Sequence, residues 1–415
     1  MRTKKLAKLG LTLFVLIAAT LISMSAVASD TIKIAKIDPA SGPFAAIGDH
    51  SNKQYEMIVD YINARGGVLG KKLELKLFDN KNAAAESLFQ LKRAIDEGFR
   101  IIFQGHSSGV TAALSDAIGK HNDRNPDKRL IYLCPDSTDP TLTNEKCNFW
   151  FFRWGPTADQ KVGALAKYLA EDKKIKKVFL INMDYSHGHG VSAASRRELI
   201  KRRPDIEIVG DTFHAVGKIK DFSPYISSIK ASGADAVVTG NWGTDMELLI
   251  KASHAAGLKA KWATLYAGVV GSPSSLREAG EGTLQVTTWH LNYNDGDNET
   301  TRFALEFKKK YNLDLYYQDI NTMIRMLCAA IEKSKSEDPL HIALALEGMK
   351  VSTPTGELLM RADNHQAVAP QIISVFSRNV KYDAEGTGFG WKTVMVVPAE
   401  EVYFPTTCVM ERPAK

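Results

Sequence analysis

Long apolar stretches are scarce in this sequence of 415 residues. After the N-terminal 29 residues, no segment is long and apolar enough to cross a bilayer, which excludes a multi-span membrane protein. Only four cysteines occur and none form a Cys-x-x-Cys pair, so a disulfide-dense mini-protein, a zinc ribbon and a thioredoxin-type site are unsupported. The chain is 44% hydrophobic and 24% charged, which is typical of globular proteins and excludes collagen and general disorder. Its length favours about two or three domains.

Net charge is small once the N-terminus is set aside. Lysine and arginine number 53 against 47 acidic residues, giving +6. Four of the basic residues stand at the very start: Arg2, Lys4, Lys5 and Lys8. Without them, 49 basic residues face 47 acidic ones. Because such a surface attracts phosphate backbones weakly, we expect no nucleic-acid partner.

The N-terminus has a pattern typical of an export signal. The basic residues precede an uncharged stretch, Leu9–Ser29, and Ala26-Val27-Ala28 is a small-x-small processing site. This order predicts a signal peptide over residues 1–28 with cleavage after about Ala28. An uncleaved anchor is the alternative, since the uncharged stretch is long enough to span a bilayer.

Export makes disulfides feasible for the four cysteines. Four thiols allow three complete pairings. Cys134 and Cys147 flank a short loop and are the nearest candidate bridge, whereas Cys147 with Cys408 is the rival. Cys328 lies in an apolar helical run, so we expect it to pack as a small hydrophobe.

Strand and helix patterns alternate along most of the chain. The predicted strands are Thr31–Ile37, Leu73–Phe78, Arg100–Gln104, Leu130–Leu133, Val178–Asn182, Ile206–Phe213, Ala236–Thr239 and Trp262–Tyr266. The predicted helices are Asp49–Ala64, Ala83–Glu97, Val110–His121, Ala158–Ala170, Ser192–Arg202, Tyr225–Ala231, Asp245–Ala256, Arg302–Tyr311 and Tyr317–Lys333. Alternation predicts α/β architecture with parallel sheets. Two breaks, at Asn144–Arg153 and Asn292–Thr300, favour two open doubly wound domains over a closed barrel.

One glycine- and serine-rich turn lies between a predicted strand and helix, Gly105-His106-Ser107-Ser108-Gly109. Its Gly-x-Ser-x-Gly pattern permits a nucleophile elbow with Ser107 as the nucleophile. It equally permits anion capture, because a helix N-terminus presents N–H groups and a positive dipole to a carboxylate. A plain capped turn is the third interpretation.

Polar turns also follow other predicted strands, at the carboxyl edge where open α/β sheets bind ligands. They are Pro135–Pro140, Asp184–Gly190 and Asn241–Gly243. Gly188-His189-Gly190 lacks the third glycine of a dinucleotide fingerprint, so no dinucleotide or other cofactor is expected. His187 and His189 have no recognisable third ligand, so no metal site is expected.

Two further motifs carry a family resemblance. Ser41–Gly48 follows the first strand, and Ile62–Gly70 ends the first helix. Together they resemble the opening of the periplasmic leucine/isoleucine/valine-binding proteins, and the later turns fall where that family continues. The resemblance covers about Thr31 to Arg378.

The resemblance implies two Rossmann-like lobes joined by three crossovers, a type I periplasmic binding protein. Crossovers are expected near Phe151, Leu284 and Ala369. The lobes would comprise residues 29–151 with 285–369, and 152–284 with 370–415. Such a protein would be periplasmic and monomeric, would close over a small ligand by hinge motion, and would deliver it to a membrane ATP-binding-cassette permease and ATPase complex without catalysis.

The resemblance also implies site residues. Ser108 and the turn that contains Asp136 and Thr138 would bind the ligand's α-carboxylate. The family's aromatic positions in the second lobe map to His187 and Trp242. Ile47 would face the apolar part of the ligand. The complete candidate set is Ile47, Ser107, Ser108, Asp136, Thr138, Tyr185, His187, Trp242 and Tyr266.

The chain departs from the family at one turn. Amino-acid-binding members carry an acid after the strand that ends at Tyr266, whereas Tyr266–Gly271 has none. Because a buried ammonium without a counter-charge is costly, either Asp136 or Asp184 replaces that acid, or the ligand lacks an ammonium. We therefore expect a small carboxylate-bearing or amide ligand, such as a branched-chain amino acid or an analogue. The alternatives are a secreted α/β hydrolase that uses Ser107, and a ligand sensor of the same fold.

Overall fold

The structure is a computed structural model that describes residues 31–293 and 298–413. The predicted signal peptide, residues 1–28, lies outside these ranges. No helix within the described ranges combines the length and apolarity that a membrane span requires.

The first sheet is parallel throughout. Its strands are β1 (Ile32–Asp38), β2 (Leu73–Asp79), β3 (Ile101–Phe103), β4 (Ile131–Cys134) and β5 (Phe151–Arg153), and the helices between them are α1 (Ala45–Ala64), α2 (Ala84–Asp96) and α3 (Ser108–Arg124). The strand order is β2-β1-β3-β4-β5. The central strands are buried along their whole length because helices cover both faces, which explains their apolar sequences.

A second run of alternating elements follows. It contains α4 (Ala158–Glu171), β6 (Lys177–Met183), α5 (Ser186–Arg202), β7 (Glu207–His214), α6 (Ser223–Ser232), β8 (Ala236–Thr239), α7 (Gly243–Ala255), β9 (Lys261–Thr264), α8 (Ser272–Leu276) and β10 (Leu284–Thr287). A capping box begins α4, in which Thr157 and Gln160 exchange side-chain and backbone hydrogen bonds.

The last third of the chain adds helices and antiparallel strands. These are α9 (Glu299–Tyr311), α10 (Gln318–Ser334), α11 (Pro339–Leu346), β11 (Lys350–Thr353), β12 (Gly356–Met360), β13 (Ala367–Val368), β14 (Gln371–Ser377) and β15 (Gly390–Val397). Strands β11 to β13 form a small sheet, and β14 and β15 complete a second large sheet of order β15-β14-β10-β9-β8-β6-β7. The α/β class and the predicted elements are confirmed, although the sequence pattern missed β5 and every strand from β10 onward.

Between β5 and β14 the chain passes between the two large sheets three times. Phe151–Arg153 closes the first sheet, Leu284–Thr287 pairs within the second, and Ala367–Val368 stands just before the return to it. Between the last two passages, α9 and α10 bury Phe303, Phe307 and Met323 in the core of the first sheet. The lobe boundaries in residue numbers stay a prediction.

The C-terminal segment runs back to the first lobe and is joined there by a disulfide. Cys147 pairs with Cys408, with their Cα atoms 5.6 Å apart. The candidate bridge between Cys134 and Cys147 is therefore wrong, because Cys134 is fully buried in β4 and its thiol donates to the carbonyl of Asp136. Cys328 packs half-buried against the first core, as expected.

Candidate functional site

All nine candidate residues line one cavity between the two sheets. Ile47, Ser107, Ser108, Asp136 and Thr138 follow strands of the first sheet. Tyr185, His187, Trp242 and Tyr266 follow strands of the second. The cavity therefore lies where the carboxyl edges of two parallel sheets face each other, the position at which open α/β sheets bind ligands. The ligand-binding role of each residue stays a prediction.

The serine turn presents the N-terminus of α3 to this cavity. Ser107 is the N-cap residue and has a φ of +71°, a left-handed backbone that is unusual for a residue with a side chain. Ser108 begins the helix and is nearly buried, and its Oγ accepts a hydrogen bond from the backbone N–H of Asp139 at 3.3 Å. Because Oγ acts as an acceptor there, the hydroxyl hydrogen of Ser108 stays available to an anion.

A buried arginine fixes the neighbouring turn. Arg153 is fully buried and its Nη1 donates to the carbonyls of Ser137 and Asp139, each at 2.7 Å. The Ser137 hydroxyl donates to the carbonyl of Gly105 at 2.6 Å, which ties this turn to the serine turn. The side chains of Asp136 and Thr138 are thereby held on a rigid loop.

Thr138 is hydrogen-bonded across the cavity to His187. Thr138 Oγ1 and His187 Nδ1 are 2.5 Å apart, and His187 Nε2 is 3.0 Å from the carbonyl of Gly240. A carbonyl only accepts, so Nε2 carries the proton and Nδ1 accepts from the threonine hydroxyl. Burial lowers the pKa of His187 to about 4, which keeps the ring neutral. Thr138 Oγ1 is consequently left with acceptor capacity, which Tyr266 Oη approaches at 3.4 Å.

Aromatic side chains form the opposite wall. The indole N–H of Trp242 donates to Tyr185 Oη at 2.9 Å. The Trp242 ring lies 5.0 Å from that of Phe44 in the first lobe, measured between centroids. These contacts join the lobes over the cavity and make one side of it apolar.

Three charged groups surround the floor of the site. The half-buried carboxylate of Asp136 lines the cavity, and burial raises its pKa. Lys161 of α4 is buried with Nζ 4.3 Å from the centre of the Tyr266 ring, and burial lowers its pKa against the attraction of Asp136 and Asp319. Burial likewise raises the pKa of Asp319 to about 7. The only one of these that lines the cavity is Asp136.

Asp184, the other acid considered for the ligand's ammonium, points elsewhere. Its side chain is 62% exposed and Oδ1 lies 2.8 Å from His189 Nε2. Of the two acids, Asp136 and Asp184, it is therefore Asp136 that lines the cavity.

Sequence reasoning missed five lining residues, namely Gly105, His106, Ser137, Val269 and Tyr317. His106 is the most informative of them, because its Nδ1 lies 3.1 Å from the buried carboxylate of Asp38. Lys36 Nζ is 3.8 Å from the same carboxylate. For four of the missed residues the signal was position, since Gly105, His106 and Ser137 stand within turns that were already selected and Val269 follows Tyr266. Tyr317 carried no such signal.

A Ser107 hydrolase would need a histidine later in the chain, and four such histidines are engaged in other contacts. His187 bonds Thr138 and Gly240, His214 Nε2 is 2.7 Å from Asn241 Nδ2, His290 Nε2 is 3.0 Å from Thr393 Oγ1, and His365 Nε2 is 2.8 Å from Glu347 Oε1. Across residues 31–293 and 298–413, no three His, Cys, Asp or Glu side chains are grouped to hold a metal ion.

Comparisons with known proteins agree with this geometry. Residues 31–377 match the model of a periplasmic binding protein family. The chain is 32% identical over 409 residues to the Leu/Ile/Val-binding protein homolog 4 of Brucella melitensis, covering 95% of this chain and 96% of that one. It is 26% identical to the leucine-, isoleucine-, valine-, threonine- and alanine-binding protein of Pseudomonas aeruginosa, covering 83% and 90%.

A solved structure shows the same fold. It is the leucine-, isoleucine-, valine-, threonine- and alanine-binding protein of Brucella ovis in a closed conformation, with a TM-score of 0.85 and 31% identity over 92% of this chain and 100% of that one. The chain therefore belongs to the periplasmic leucine/isoleucine/valine-binding protein family, with the two-lobed type I fold that its motifs predicted.

Proposed function

We propose that this protein is the extracytoplasmic solute-binding component of an ATP-binding-cassette importer, and that its ligand is a small amino acid with an apolar side chain. The observation that carries the proposal is the single cavity lined by all nine candidate residues, five from one lobe and four from the other. A ligand that contacts both lobes favours closure, because it binds the closed arrangement more tightly than either half-site alone.

The ligand's carboxylate would lie at the N-terminus of α3. The backbone N–H groups there are unpaired within the helix and the helix dipole favours an anion. The hydroxyl of Ser108 adds a donor, since its oxygen already accepts from Asp139. Ser107 lines the same end of the cavity.

The ammonium would lie between Asp136 and Thr138. Thr138 Oγ1 offers a lone pair because its hydrogen is donated to His187. Asp136 supplies the counter-charge that Tyr266–Gly271 lacks. The Asp136 carboxylate lines the cavity, so its oxygens can accept from an ammonium.

The apolar side chain of the ligand would face Ile47, Val269 and Trp242. Ile47 is half-buried and contacts the cores of both lobes, so a ligand against it fills the seam between them. Val269 is buried and Trp242 is half-buried. Removing an aliphatic side chain from water against these walls contributes roughly 1.5 to 3 kcal/mol to binding.

Substrate-binding proteins of this class bind small molecules and work with membrane transporter components. We propose that this chain is cleaved after about Ala28, acts in the periplasm as a monomer, and delivers its ligand to the permease without covalent chemistry. The two lobes would move as bodies about the three passages between β5 and β14 and the C-terminal segment that Cys408 joins to the first lobe.

A thermal-shift screen of the mature, ligand-stripped protein tests this function. The panel contains branched-chain amino acids, their keto-acid analogues, aromatic carboxylates, short amides and urea. A ligand stabilises the native state by mass action, so branched-chain amino acids should raise the midpoint with dose. A shift with aromatic carboxylates alone, or silence across the panel accompanied by ester hydrolysis that Ser107→Ala abolishes, would contradict the proposal.

A further inference from the structure

A buried pair of charged residues stands at the end of β1, next to the serine turn (Gly105–Gly109). The side chains of Lys36 and Asp38 are 0% and 1% exposed, and Lys36 Nζ is 3.8 Å from the Asp38 carboxylate. Burying two charges costs free energy that their mutual attraction does not always recover, so stability alone is a weak reason for such a pair. The contacts that the two residues make with neighbouring segments indicate another role.

Asp38 holds the backbone of the serine turn. Its Oδ1 accepts the backbone N–H groups of Gly105 at 3.4 Å and of His106 at 3.3 Å. The same oxygen lies 3.1 Å from His106 Nδ1. Burial on its own would raise the pKa of Asp38, but His106 and Lys36 hold that pKa below its ordinary value. The carboxylate is therefore ionised, which makes it a stronger acceptor for the two N–H groups than a neutral oxygen.

The helix after the turn begins without a side-chain cap. Ser107 is the N-cap residue of α3, and its side chain does not bond the N–H groups of the first helical turn. Asp38 accepts N–H groups only from the two residues that precede Ser107. The contacts of Asp38 thus fix the turn without occupying the donors at the start of the helix, where Ser107 and Ser108 line the cavity.

Lys36 extends the arrangement to a second segment that lines the cavity. Its Nζ donates to Ser51 Oγ at 3.0 Å, and the Ser51 hydroxyl donates to the carbonyl of Gly48 at 2.9 Å. Both residues belong to α1, whose first turn carries the cavity residue Ile47. The buried pair therefore connects the turn assigned to the ligand's carboxylate with the segment assigned to its apolar side chain.

We propose that Asp38 is a positioning residue for ligand binding, which holds the serine turn so that the N-terminus of α3 and the Ser108 hydroxyl meet the ligand's carboxylate. The inference rests on the proposed function, in which a carboxylate lies at this helix end. Ser107 has a φ of +71°, and a residue with a side chain keeps such a backbone only where its surroundings impose it. Loss of the Asp38 acceptor should therefore loosen this turn first, and weaken carboxylate binding with it.

The first test measures hydrogen exchange in the mature, ligand-stripped protein by mass spectrometry. In Asp38→Ala, a peptide that covers residues 104–112 should exchange at least about fivefold faster than in the wild-type protein. Asp38→Asn keeps an acceptor oxygen and should restore most of the protection. The matched control is Asp79→Ala, because Asp79 stands opposite Asp38 in the pairing of β2 with β1 but accepts from Ala40 N–H and the Ser41 hydroxyl instead. Asp79→Ala should leave the exchange of residues 104–112 unchanged.

Titrations of leucine and leucinol separate positioning from a general structural effect. Leucinol keeps the ammonium and side chain of leucine but has a hydroxymethyl group in place of the carboxylate. Asp38→Ala should lose leucine affinity at least about fivefold and leucinol affinity less than about twofold, and Asp38→Asn should recover most of the leucine affinity. Asp79→Ala should leave the ratio of the two affinities unchanged. Equal losses for both ligands would overturn the proposal, and so would unchanged exchange of residues 104–112 in Asp38→Ala.

A second variant covers a failure of Asp38→Ala to fold. That change leaves the Lys36 charge buried without its partner, whereas Lys36→Met/Asp38→Ala removes both charges together. The double variant should show the same exchange and the same selective loss of leucine affinity. If neither ligand binds the wild-type protein, the proposed function fails and the exchange experiment decides the role of Asp38 alone. Unchanged exchange then overturns that role, and faster exchange restricted to the serine turn supports it.

Discussion

Thr138 and His187 join the two lobes through a hydrogen bond of 2.5 Å between Oγ1 and Nδ1. The same imidazole donates from Nε2 to the carbonyl of Gly240 at 3.0 Å. One neutral ring thus connects the turn after β4, the first turn of α5 and the turn after β8. Its orientation decides that Thr138 presents a lone pair, rather than a hydrogen, to the site.

Replacing His187 by phenylalanine should weaken ligand binding about tenfold or more. The change keeps an aromatic ring but leaves Thr138 free to rotate and the carbonyl of Gly240 unpaired, and each lost hydrogen bond costs on the order of 1 kcal/mol. Calorimetric titration of the ligand found in the thermal-shift screen measures the effect.

His189→Phe is the matched control. His189 lies on the same helix but is exposed and contacts Asp184. The His189→Phe variant should bind the ligand with the affinity of the wild-type protein. Equal losses in His187→Phe and His189→Phe would show that the helix, rather than the bond across the cleft, accounts for the change.

Trp242→Ala and Ser108→Ala should each weaken binding while the fold persists. Trp242→Ala removes an apolar wall and the partner of Tyr185, with an expected cost of roughly 2 to 3 kcal/mol in affinity. Ser108→Ala removes one donor, with a cost of about 1 kcal/mol. Unchanged affinity in both variants, with normal circular dichroism, would remove the assignment of this cavity.

Stability should fall as the pH is lowered from about 6.5 to 4. Burial lowers the pKa values of His50, His187 and His290 to about 4, below the ordinary value of 6.5. In that interval each of these histidines is protonated in the unfolded chain but neutral in the folded chain. Each one therefore reduces the free energy of unfolding by up to about 1.4 kcal/mol per pH unit as the pH falls. Asp319, with a raised pKa of about 7, acts in the opposite direction.

His290→Gln isolates one of these histidines. Urea unfolding at several pH values should give a slope that is less steep by about one proton than that of the wild-type protein between pH 6.5 and 4. Above about pH 7.5 the two curves should run parallel, because histidine is then neutral in both states. Identical slopes throughout the acidic range would show that His290 is not buried as a neutral ring.

The Cys147–Cys408 disulfide should stabilise the fold substantially. It joins positions separated by 261 residues. The chain-entropy treatment gives about 5.6 kcal/mol as an upper bound for a loop of this size. A reducing agent should therefore lower the thermal midpoint of the wild-type protein.

The Cys147→Ser/Cys408→Ser double variant should start at the lower midpoint and be insensitive to reductant. Because the double variant retains Cys134 and Cys328, it also reports any effect of reductant on those two cysteines. A reductant effect that persists in it would mean that another pairing forms.

The sequence pattern predicted most elements, and the turns after parallel strands together with the family resemblance supplied nine candidate residues that line one cavity. It placed the starts of two helices too late. Glycines within Ser41–Gly48 and Asp184–Gly190 favoured loops, yet α1 begins at Ala45 and α5 at Ser186. A Cβ on Gly48 would lie 1.7 Å from the carbonyl oxygen of Pro39, and one on Gly188 would lie 1.9 Å from that of Met183. These glycines allow close packing of a helix on a strand end.

Other features depend on contacts between distant segments. Proximity in sequence favoured Cys134 as the partner of Cys147, but burial in β4 removes Cys134 from reach. Lys161 stands in an amphipathic helix pattern that gives no sign of its burial over the Tyr266 ring. The pairing of Thr138 with His187 likewise required both lobes to be in place.

The most direct test of the central claim is a calorimetric titration of leucine and of its keto-acid analogue into the ligand-stripped protein and into Asp136→Asn. We expect one site per chain, tighter binding of leucine than of the keto acid, and at least about a tenfold loss of leucine affinity in Asp136→Asn, since a desolvated ammonium loses its counter-charge. Tighter binding of the keto acid by the wild-type protein, or undiminished leucine binding by Asp136→Asn, would contradict the account.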